Sequence, residues 1–479
     1  MAGRWRWLRS GRLHRLVLAG LAGALAAPLL AATRPGTPAP LFSAGLLGNE
    51  RALEPVPPAA ARGAAYIAGS NVLVLADGRR RYLPPGATAA VTVAADDPGA
   101  AAAVVADRAW LAQGAVPGAT PAEREAAGRS LLDLRLLVRP GGAALAAQTP
   151  YWAYVWPRDA SFVAAAFAVT GHGSEAADVL GFLARTQLPD GTWPARSHPD
   201  GTPVTDGRPA QLDATGWVAW AAWLAGGQRR DLGTARRLWP MVRAAADAAA
   251  RSLGRDGLPP PGPDYWEHRE RQPTLGTAAV LRAGLRAATD LAAEVGEAAA
   301  AARYRSAAAS LAGAIERFFA GPAGYDRYPV RGGGPAQGGP GPVPGGGSAP
   351  GGGPDAAVTW LAPPFAPASR AVLAAVARAA EQLGPGGGGA VPGLPWLGRD
   401  YWTPATASFA LAAMASGDRA GAERRLGWLL DHRTALGAFP ERVRRGDGAP
   451  RSAAPLAWTH ALVLLTLASG DRPLPVPGT

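Results

Sequence analysis

The feature that most constrains the fold is a long series of helical segments that starts at residue 121. Apolar residues recur there at helical spacing, and Gly and Pro separate one segment from the next. No strand-like alternation of apolar and polar residues interrupts the series, so this region is predicted to be mainly α. The predicted helices are 121–138, 158–170, 174–187, 209–226, 231–254, 273–295, 297–320, 354–362, 367–384, 404–416, 418–432 and 453–469.

The connections between these segments alternate in character. The links that follow even-numbered segments are short, as at 170–174 and 417–418, whereas the loops that precede them are longer and carry Trp, Tyr, Asp, Glu and Arg. Six helical hairpins can close into a double ring, so we predict an (α/α)6 barrel, or six-hairpin toroid, over residues 121–470. Its inner helices share one direction, and the polar loops that enter them converge at one end. Unequal segment and loop lengths argue against a solenoid of fixed repeat.

The N-terminal segment, residues 1–32, has the pattern of an export signal. Five arginines precede the apolar run Leu16–Ala32, and no acidic residue occurs before Glu50. A basic stretch followed by an apolar stretch is typical of a signal peptide, and retention as an N-terminal membrane anchor is the alternative. An ordinary buried helix is a third reading. We therefore expect an extracytoplasmic protein, secreted or held at the outer face of the membrane.

Three further regions are set apart by composition. Residues 33–62 are rich in Pro and Ala and are predicted to be a linker. Residues 63–120 are predicted to form a small β-rich N-terminal segment, with a hairpin turn at Asp77-Gly78. Residues 332–354 consist mostly of Gly and Pro, which favours a disordered loop insertion inside the barrel domain over a lid.

Composition excludes several classes of function. The chain has no Cys, and its 6 His are not at metal-ligand spacing, so disulfides, thiolate sites and zinc fingers are excluded and no metal or cofactor is expected. The net charge of +12 resembles that of a nucleic-acid-binding protein. Without the five N-terminal arginines the net charge is +7, and an all-Arg composition fits a GC-rich genome. We therefore expect no nucleic-acid partner.

The loops that enter the predicted inner helices combine aromatic and charged residues. The flat apolar face of a sugar stacks on Trp or Tyr, and its hydroxyls bond to Asp and Arg. Hydrolysis of a glycosidic bond then needs two carboxylates. The loop residues are Trp156-Pro157-Arg158-Asp159, Gln211-Leu212-Asp213, Asp264-Tyr265-Trp266-Glu267-His268, Tyr325-Asp326-Arg327-Tyr328, Arg399-Asp400-Tyr401-Trp402 and Glu441-Arg442, with Trp458 in the last helix.

Glu267 and Glu441 are the predicted pair of carboxylates. Glu267 follows Trp266, whose ring is expected to desolvate it and raise its pKa toward that of a general acid. Glu441 lies in a loop on the other side of the ring, where Arg442 is expected to keep it ionised as a base. Simpler roles stay open for other residues: helix capping for Asp159 and Asp213, ion pairing for Arg158, and core packing or structural support for the Trp and His residues.

Several of these motifs resemble those of glycoside hydrolase family 15, the family of glucoamylases, glucodextranases and some bacterial trehalases. The resemblance begins with Arg129–Leu137 and Ala144–Ala147 and continues with Trp156-Pro157-Arg158-Asp159-Ala160-Ser161-Phe162. It extends over about 121–470. Gln211-Leu212-Asp213, Trp266-Glu267 and the late Glu441 before a Trp-bearing helix make it more specific.

The resemblance implies an (α/α)6 barrel that hydrolyses α-glucosidic bonds with inversion. Arg158 and Asp159 then bind the nonreducing sugar, Glu267 is the general acid and Glu441 is the general base. The remaining residues predicted to bind substrate are Trp156, Asp213, Trp266, His268, Arg399, Trp402 and Trp458.

The chain also departs from the family pattern. His268 stands where glucoamylases often carry a second acidic residue, which puts the leaving-group subsite in question. Pro440-Glu441-Arg442 replaces a Ser-Glu-Gln type of motif, and neither a large N-terminal β-sandwich nor a starch-binding module is evident. These departures favour short α-glucosides over long polymers.

The sequence thus predicts an exported, inverting, exo-acting α-glucosidase of glucoamylase type, which cleaves short α-glucosides or α-glucans from the nonreducing end. Two alternatives from other classes stay open. One is a barrel protein that binds glycans without cleaving them, and the other is a phosphorylase or lyase on the same six-hairpin scaffold. The oligomeric state is not predicted.

Overall fold

The computed structural model describes residues 43–229, 232–330, 352–394, 398 and 400–479. The predicted export signal, the first part of the predicted linker, nearly all of the insertion 332–354 and the predicted sugar-binding Arg399 lie outside these residues. The α-helices are α1 Pro98–Leu111, α2 Pro121–Leu137, α3 Pro157–Val169, α4 Gly173–Thr186, α5 Asp213–Arg229, α6 Leu232–Ser252, α7 Leu275–Glu294, α8 Ala298–Phe318, α9 Arg370–Leu383, α10 Thr403–Ala415, α11 Arg419–Asp431 and α12 Ala457–Asp471. Two 3₁₀ helices span Ala356–Leu361 and Pro385–Gly387.

Six helices form a closed inner ring. In order around it, α3, α5, α7, the 3₁₀ helix Ala356–Leu361, α10 and α12 each contact the next, and α12 contacts α3. The helices α2, α4, α6, α8, α9 and α11 pack outside this ring. The inner helices are buried on almost every side, as helices with apolar residues all round must be. The predicted (α/α)6 fold is confirmed.

Small residues let the inner helices approach closely. A Cβ added to Gly284 of α7 would lie 2.4 Å from the Cα atom of Gly216 in α5, so the two backbones touch where these helices cross. The predicted eighth segment, 354–362, forms only the short 3₁₀ helix rather than a full α-helix. It nevertheless occupies its place in the ring between α7 and α10.

Residues 43–120, the described part of the predicted linker and the predicted β-rich segment, differ from their predicted form in two ways. Within the predicted linker, strands β1 (Gly45–Gly48) and β2 (Leu53–Val56) pair as a hairpin that buries Leu46 and Leu47. The side chain of Asn49 accepts hydrogen bonds from two backbone N–H groups in the turn, a local signal for a hairpin. Within the predicted β-rich segment, α1 follows the strands, and Asp97 caps it by accepting from the Ala100 N–H.

The remaining strands are short. A four-stranded antiparallel sheet consists of β3 Ala65–Tyr66, β4 Leu73–Val74, β5 Arg80–Tyr82 and β6 Val91–Val93. Further hairpins are β7 Val138–Arg139 with β8 Ala143–Ala144, and β9 Ala320–Gly321 with β10 Gly324–Tyr325. A three-stranded sheet consists of β11 Asp400–Trp402, β12 Arg442–Arg444 and β13 Pro450–Arg451. Among the described helices, none has both the length and the apolar character to cross a membrane.

Candidate active site

The predicted site residues lie at or just before the N-termini of inner helices. Trp156 precedes α3, which carries Arg158 and Asp159 in its first turn, and Asp213 is the first residue of α5. Trp402 precedes α10, and Trp458 is the second residue of α12. Because the inner helices share one direction, these termini meet at one end of the barrel. Their unpaired backbone N–H groups make this end favourable for carboxylates.

Arg158 joins several predicted residues on the acid side. Its Nη1 donates to Gln211 Oε1 at 2.9 Å and to Asp213 Oδ2 at 3.3 Å. Its Nη2 donates to Glu267 Oε1 at 3.1 Å, and its guanidinium lies 5.0 Å from the centre of the Trp458 ring. Arg158 is only 5% exposed. The structure therefore brings together residues from three loops, and the outer two, at Arg158 and Glu267, are 109 positions apart in the chain.

Asp159 lies in the first turn of α3, where a carboxylate also complements the helix dipole. No side chain caps the N-terminus of α3. Asp159 Oδ2 lies 3.5 Å from Arg158 Nε, and within the described part of the chain both buried atoms lack a hydrogen-bond partner. Burial raises the pKa of Asp159 to about 7, although Arg158 opposes the shift. An unsatisfied buried polar group is costly, so this corner of the site is suited to bind polar groups such as sugar hydroxyls.

Asp213 and two indole groups extend this environment. Burial raises the pKa of Asp213 to about 6, again against the effect of Arg158. The indole N–H groups of Trp156 and Trp458 are buried, and neither has an acceptor among the described residues. Asp213 is the first residue of α5, a position that agrees with the simpler role of helix capping. Its carboxylate also binds Arg158.

Glu267 is held in an unusual backbone conformation. Its φ angle is +59°, which is uncommon for a residue other than glycine and is often found at functional sites. The turn is closed by the Glu267 N–H, which donates to the Asp264 carbonyl at 2.8 Å, and by the Trp266 N–H, which donates to Asp264 Oδ1 at 2.9 Å. The turn directs the Glu267 carboxylate toward Arg158.

Two guanidinium groups contact the Glu267 carboxylate. Arg158 binds Oε1, and Arg208 Nη1 donates to Oε2 at 2.6 Å. The sequence predicted that the Trp266 ring would surround the Glu267 carboxylate with apolar atoms. In the structure, the neighbours of this carboxylate are instead two cationic side chains. Arg327 lies over the Trp266 ring, 4.1 Å from its centre. Only tertiary contacts bring Arg208 and Arg327 to this loop.

Arg327 anchors the acid loop, which we define as residues 264–270. It is 1% exposed, and its Nη2 donates to Asp264 Oδ1 at 2.8 Å and to Glu270 Oε1 at 2.7 Å. Its Nη1 donates to Asp355 Oδ2 at 2.7 Å, at the start of the 3₁₀ helix. Asp355 also accepts from the hydroxyl of Tyr265. The motif that contains Arg327 was noted in the sequence, but its positioning role was not predicted.

Glu441 is held mainly by backbone contacts. Its N–H donates to the Ala453 carbonyl at 2.8 Å, and its carbonyl accepts from the Thr403 N–H at 3.0 Å. Its carboxylate accepts a hydrogen bond from Ser452 Oγ and lies 3.5 Å from Arg442 Nε. The predicted neighbour Arg442 is therefore in place, whereas Ser452 was missed because it lies eleven residues further along the chain.

An aromatic cluster connects the acid and base sides. The Trp402 and Trp458 rings are 5.7 Å apart and nearly perpendicular, and Tyr265 of the acid loop lies 6.1 Å from Trp402. Trp402 precedes Thr403, which contacts Glu441. Glu267 and Glu441 belong to the loops before α7 and α12, which are three positions apart in a ring of six and therefore opposite each other. An inverting glycosidase needs two carboxylates on opposite sides of the scissile bond, and opposed loops can supply them.

His268 is less engaged than the other predicted residues. It is exposed beside Glu267 at the outer side of the acid loop. Over the described ranges, no group of three or more His, Asp or Glu side chains is arranged to hold a metal ion.

Comparisons with known proteins agree with this fold. Residues 121–331 match the profile of Glycosyl hydrolases family 15. No curated protein sequence matches the chain. Among solved structures, a glycosidase variant in complex with glucose is 21% identical with a TM-score of 0.62, and the alignment covers 74% of this chain and 99% of that one.

Two glucoamylase structures share the same fold. A bacterial glucoamylase complexed with acarbose is 19% identical with a TM-score of 0.60, and 80% of this chain aligns with 63% of that protein. The glucoamylase from Saccharomycopsis fibuligera is 14% identical with a TM-score of 0.54, and 74% of this chain aligns with 96% of it. The comparisons thus give a match of residues 121–331 to the model of Glycosyl hydrolases family 15 and a fold shared with glucoamylases.

Proposed function

We propose that this protein is an inverting, exo-acting α-glucosidase that removes glucose from the nonreducing end of short α-glucosides. The observation that carries the proposal is the placement of Glu267 and Glu441 in opposed loops on either side of an aromatic cluster. A protein that only binds glycans needs the aromatic residues but not both carboxylates. The buried, unsatisfied polar atoms of Arg158 and Asp159 supply a subsite for the terminal sugar.

The mechanism assigns one role to each side of the site. Glu267 protonates the glycosidic oxygen while Arg158 and Asp159 hold the terminal sugar. Glu441, oriented by Ser452 and its backbone contacts, removes a proton from a water molecule that attacks the anomeric carbon from the opposite face. Because Asp159, Trp156 and Trp458 are buried, they close the inner end of the site, which favours release of a single sugar.

The relatives support the choice of sugar. One solved glycosidase holds glucose, and one glucoamylase holds acarbose. The chain departs from the family pattern on the leaving-group side, at His268, which is why we propose short α-glucosides. We also propose that the protein is exported by residues 1–32, on the basis of their basic and apolar pattern. Detection of the protein only in the cytoplasmic fraction of its native host would contradict export.

The direct test is to follow the anomeric form of released glucose by NMR. Maltose, isomaltose, trehalose and soluble starch are incubated with the protein, and an inverting enzyme first releases β-glucose from each α-linkage that it cleaves. Initial release of α-glucose would overturn the mechanism. Turnover that requires inorganic phosphate and yields glucose 1-phosphate would indicate a phosphorylase instead.

Two matched variants assign the carboxylates. Glu267→Gln and Glu441→Gln remove one charge each with little change in shape, and each is expected to lower kcat by about 10² to 10⁴-fold, the usual contribution of a general acid or base. Sugar binding, measured by calorimetry, is expected to remain. Near-normal kcat in either variant would show that the corresponding assignment is wrong.

A further inference from the structure

Arg208 contacts one oxygen of the Glu267 carboxylate while Arg158 contacts the other. Its Nη1 lies 2.6 Å from Glu267 Oε2, while Arg158 binds the other oxygen at 3.1 Å. Arg158 is buried beside the residues of the terminal-sugar subsite, whereas the Arg208 side chain is 41% exposed. The Glu267 carboxylate therefore lies between the terminal-sugar subsite and Arg208. Because a general acid protonates the glycosidic oxygen, the departing half of the substrate lies on the Arg208 side.

We propose that Arg208 forms a cationic leaving-group subsite, and that the enzyme prefers α-glucosides whose leaving group carries a negative charge, such as a carboxylate. The inference rests on the proposed function and names the substrate class for the same site. It makes Arg208 a specificity-determining residue.

The local charges support an anionic ligand. Arg208 Nε lies 3.3 Å from Asp206 Oδ2, but Asp206 also binds Arg196. Arg196 is itself fixed over the Tyr154 and Trp156 rings, at 4.5 and 5.1 Å from their centres. Two arginines thus share one aspartate. Once Glu267 is protonated to act as an acid, this outer part of the site has one positive charge in excess, and an anionic leaving group would neutralise it.

The neighbouring part of the acid loop does not repel an anion. His268 and Arg269 follow Glu267 and are both exposed. Glu270 is turned inward, where Arg327 and Tyr328 bind its two oxygens at 2.7 and 2.8 Å. The side of the loop that faces solvent therefore presents His268 and Arg269, and its glutamate is already paired.

An anionic leaving group would also assist the reaction. By binding Arg208, it competes with Glu267 for that guanidinium, so that the acid keeps only its contact with Arg158. A neutral leaving group leaves the Arg208–Glu267 ion pair in place. The preference is therefore expected in kcat/KM, which combines binding and protonation.

The test uses two substrates that differ in one group. Maltitol and maltobionate share the α-1,4 linkage and an open-chain leaving group, which ends in a hydroxymethyl group in maltitol and in a carboxylate in maltobionate. We expect kcat/KM to be about tenfold higher for maltobionate, the ratio that one charge-assisted hydrogen bond supplies. In Arg208→Gln the ratio is expected to fall to about one. Equal values in the unmodified protein, or a preference that survives Arg208→Gln, would overturn the proposal.

A matched control separates a specific subsite from a general positive field. Arg269→Gln removes an exposed arginine of the same loop and is expected to keep the maltobionate preference. If this variant loses the preference as completely as Arg208→Gln, the effect is a diffuse field and the specific subsite is wrong.

Binding distinguishes failure of this inference from failure of the proposed function. Glu441→Gln keeps Arg208 and Glu267, and its kcat is expected to be lower by about 10² to 10⁴-fold, so affinities for both sugars can be measured by calorimetry before much substrate is cleaved. About tenfold tighter binding of maltobionate, lost in the double variant with Arg208→Gln, supports the subsite even if no hydrolysis is found. Equal affinities overturn the subsite even if hydrolysis is found.

Discussion

The acid loop and the loop that carries Glu441 are positioned by different kinds of interaction. In the acid loop, Arg327 binds Asp264, Glu270 and Asp355, and two further arginines contact Glu267. The base loop, which we define as residues 439–442, is held by backbone hydrogen bonds from both neighbouring segments. One loop depends on buried charges and the other on neutral donors and acceptors.

His460 illustrates the neutral arrangement. Its Nε2 accepts a hydrogen bond from the Phe439 N–H at 3.0 Å, and its Nδ1 faces Ser130 Oγ at 2.9 Å. Full burial lowers the pKa of His460 well below its ordinary value, so the ring is neutral and can accept from the backbone. It therefore fixes the start of the base loop from α12.

The difference matches the two proposed tasks. The acid changes its charge during turnover and meets a variable leaving group, so neighbouring arginines that can exchange partners affect its chemistry. The base must point at one water molecule, and a backbone-anchored loop gives it a fixed orientation. Each prediction below tests one part of this contrast, from the largest expected effect to the smallest.

Replacement of Arg327 is expected to destabilise the protein most. Arg327→Met leaves Asp264 and Asp355 buried without their guanidinium partner, and loss of one member of a buried ion cluster typically costs about 3–5 kcal/mol in the free energy of unfolding. Urea unfolding measures the change. The control Arg303→Met removes an arginine that is 54% exposed and paired with Asp247, for which a much smaller loss is expected because solvent screens the pair. Similar losses in the two variants would show that the acid loop does not depend on Arg327.

Replacement of His460 is expected to have a smaller effect, confined to the base loop. His460→Ala leaves the buried Phe439 N–H without its acceptor, which costs about 1–3 kcal/mol in addition to the effect of lost packing. Amide hydrogen exchange at Phe439 is expected to accelerate, whereas exchange at Glu267, in the acid loop, stays unchanged. Equal acceleration at both positions would contradict independent anchoring of the two loops.

Asp159 comes last because its expected effect is on the dependence of stability on pH rather than on stability at one pH. Its folded-state pKa of about 7 exceeds the ordinary 3.8, so the folded protein holds a proton that the unfolded chain has lost between these values. The contribution is fully favourable below about pH 4 and is lost as the pH rises through about 7. Asp159→Asn cannot titrate, so its free energy of unfolding is expected to fall less steeply from pH 4 to pH 7. Parallel pH profiles for the two proteins would rule out the raised pKa.

Local patterns predicted most of the fold. Helical periodicity and the alternation of short and long links located every helix of the ring, because these signals lie within single segments. The hairpin β1–β2 and helix α1 were missed. The hairpin lies in a stretch rich in Pro and Ala, and α1 follows a run of short strands, so composition indicated neither. The eighth segment is too short for an α-helix and keeps its place through contacts with α7, α9 and α10.

The candidate site was predicted in part for a similar reason. Trp156, Arg158, Asp159, Asp213, Glu267, Glu441, Trp402 and Trp458 stand at helix starts or in short motifs, and the structure places them at one end of the barrel. The roles of Arg208, Arg327 and Ser452 were not predicted. Arg208 lies 59 residues from its partner Glu267, and Arg327 lies 63 from Asp264, so no local pattern links them.

The sequence by itself determined which segments are helical, which ends of them carry polar residues and which two glutamates are suited to glycosidic chemistry. Only the tertiary structure decided which charges meet. Helix formation depends on residues three or four positions apart, whereas an ion pair depends on where loops from different hairpins come together when the ring closes. The Glu267 carboxylate, predicted to lie against an indole ring, therefore lies between two guanidinium groups.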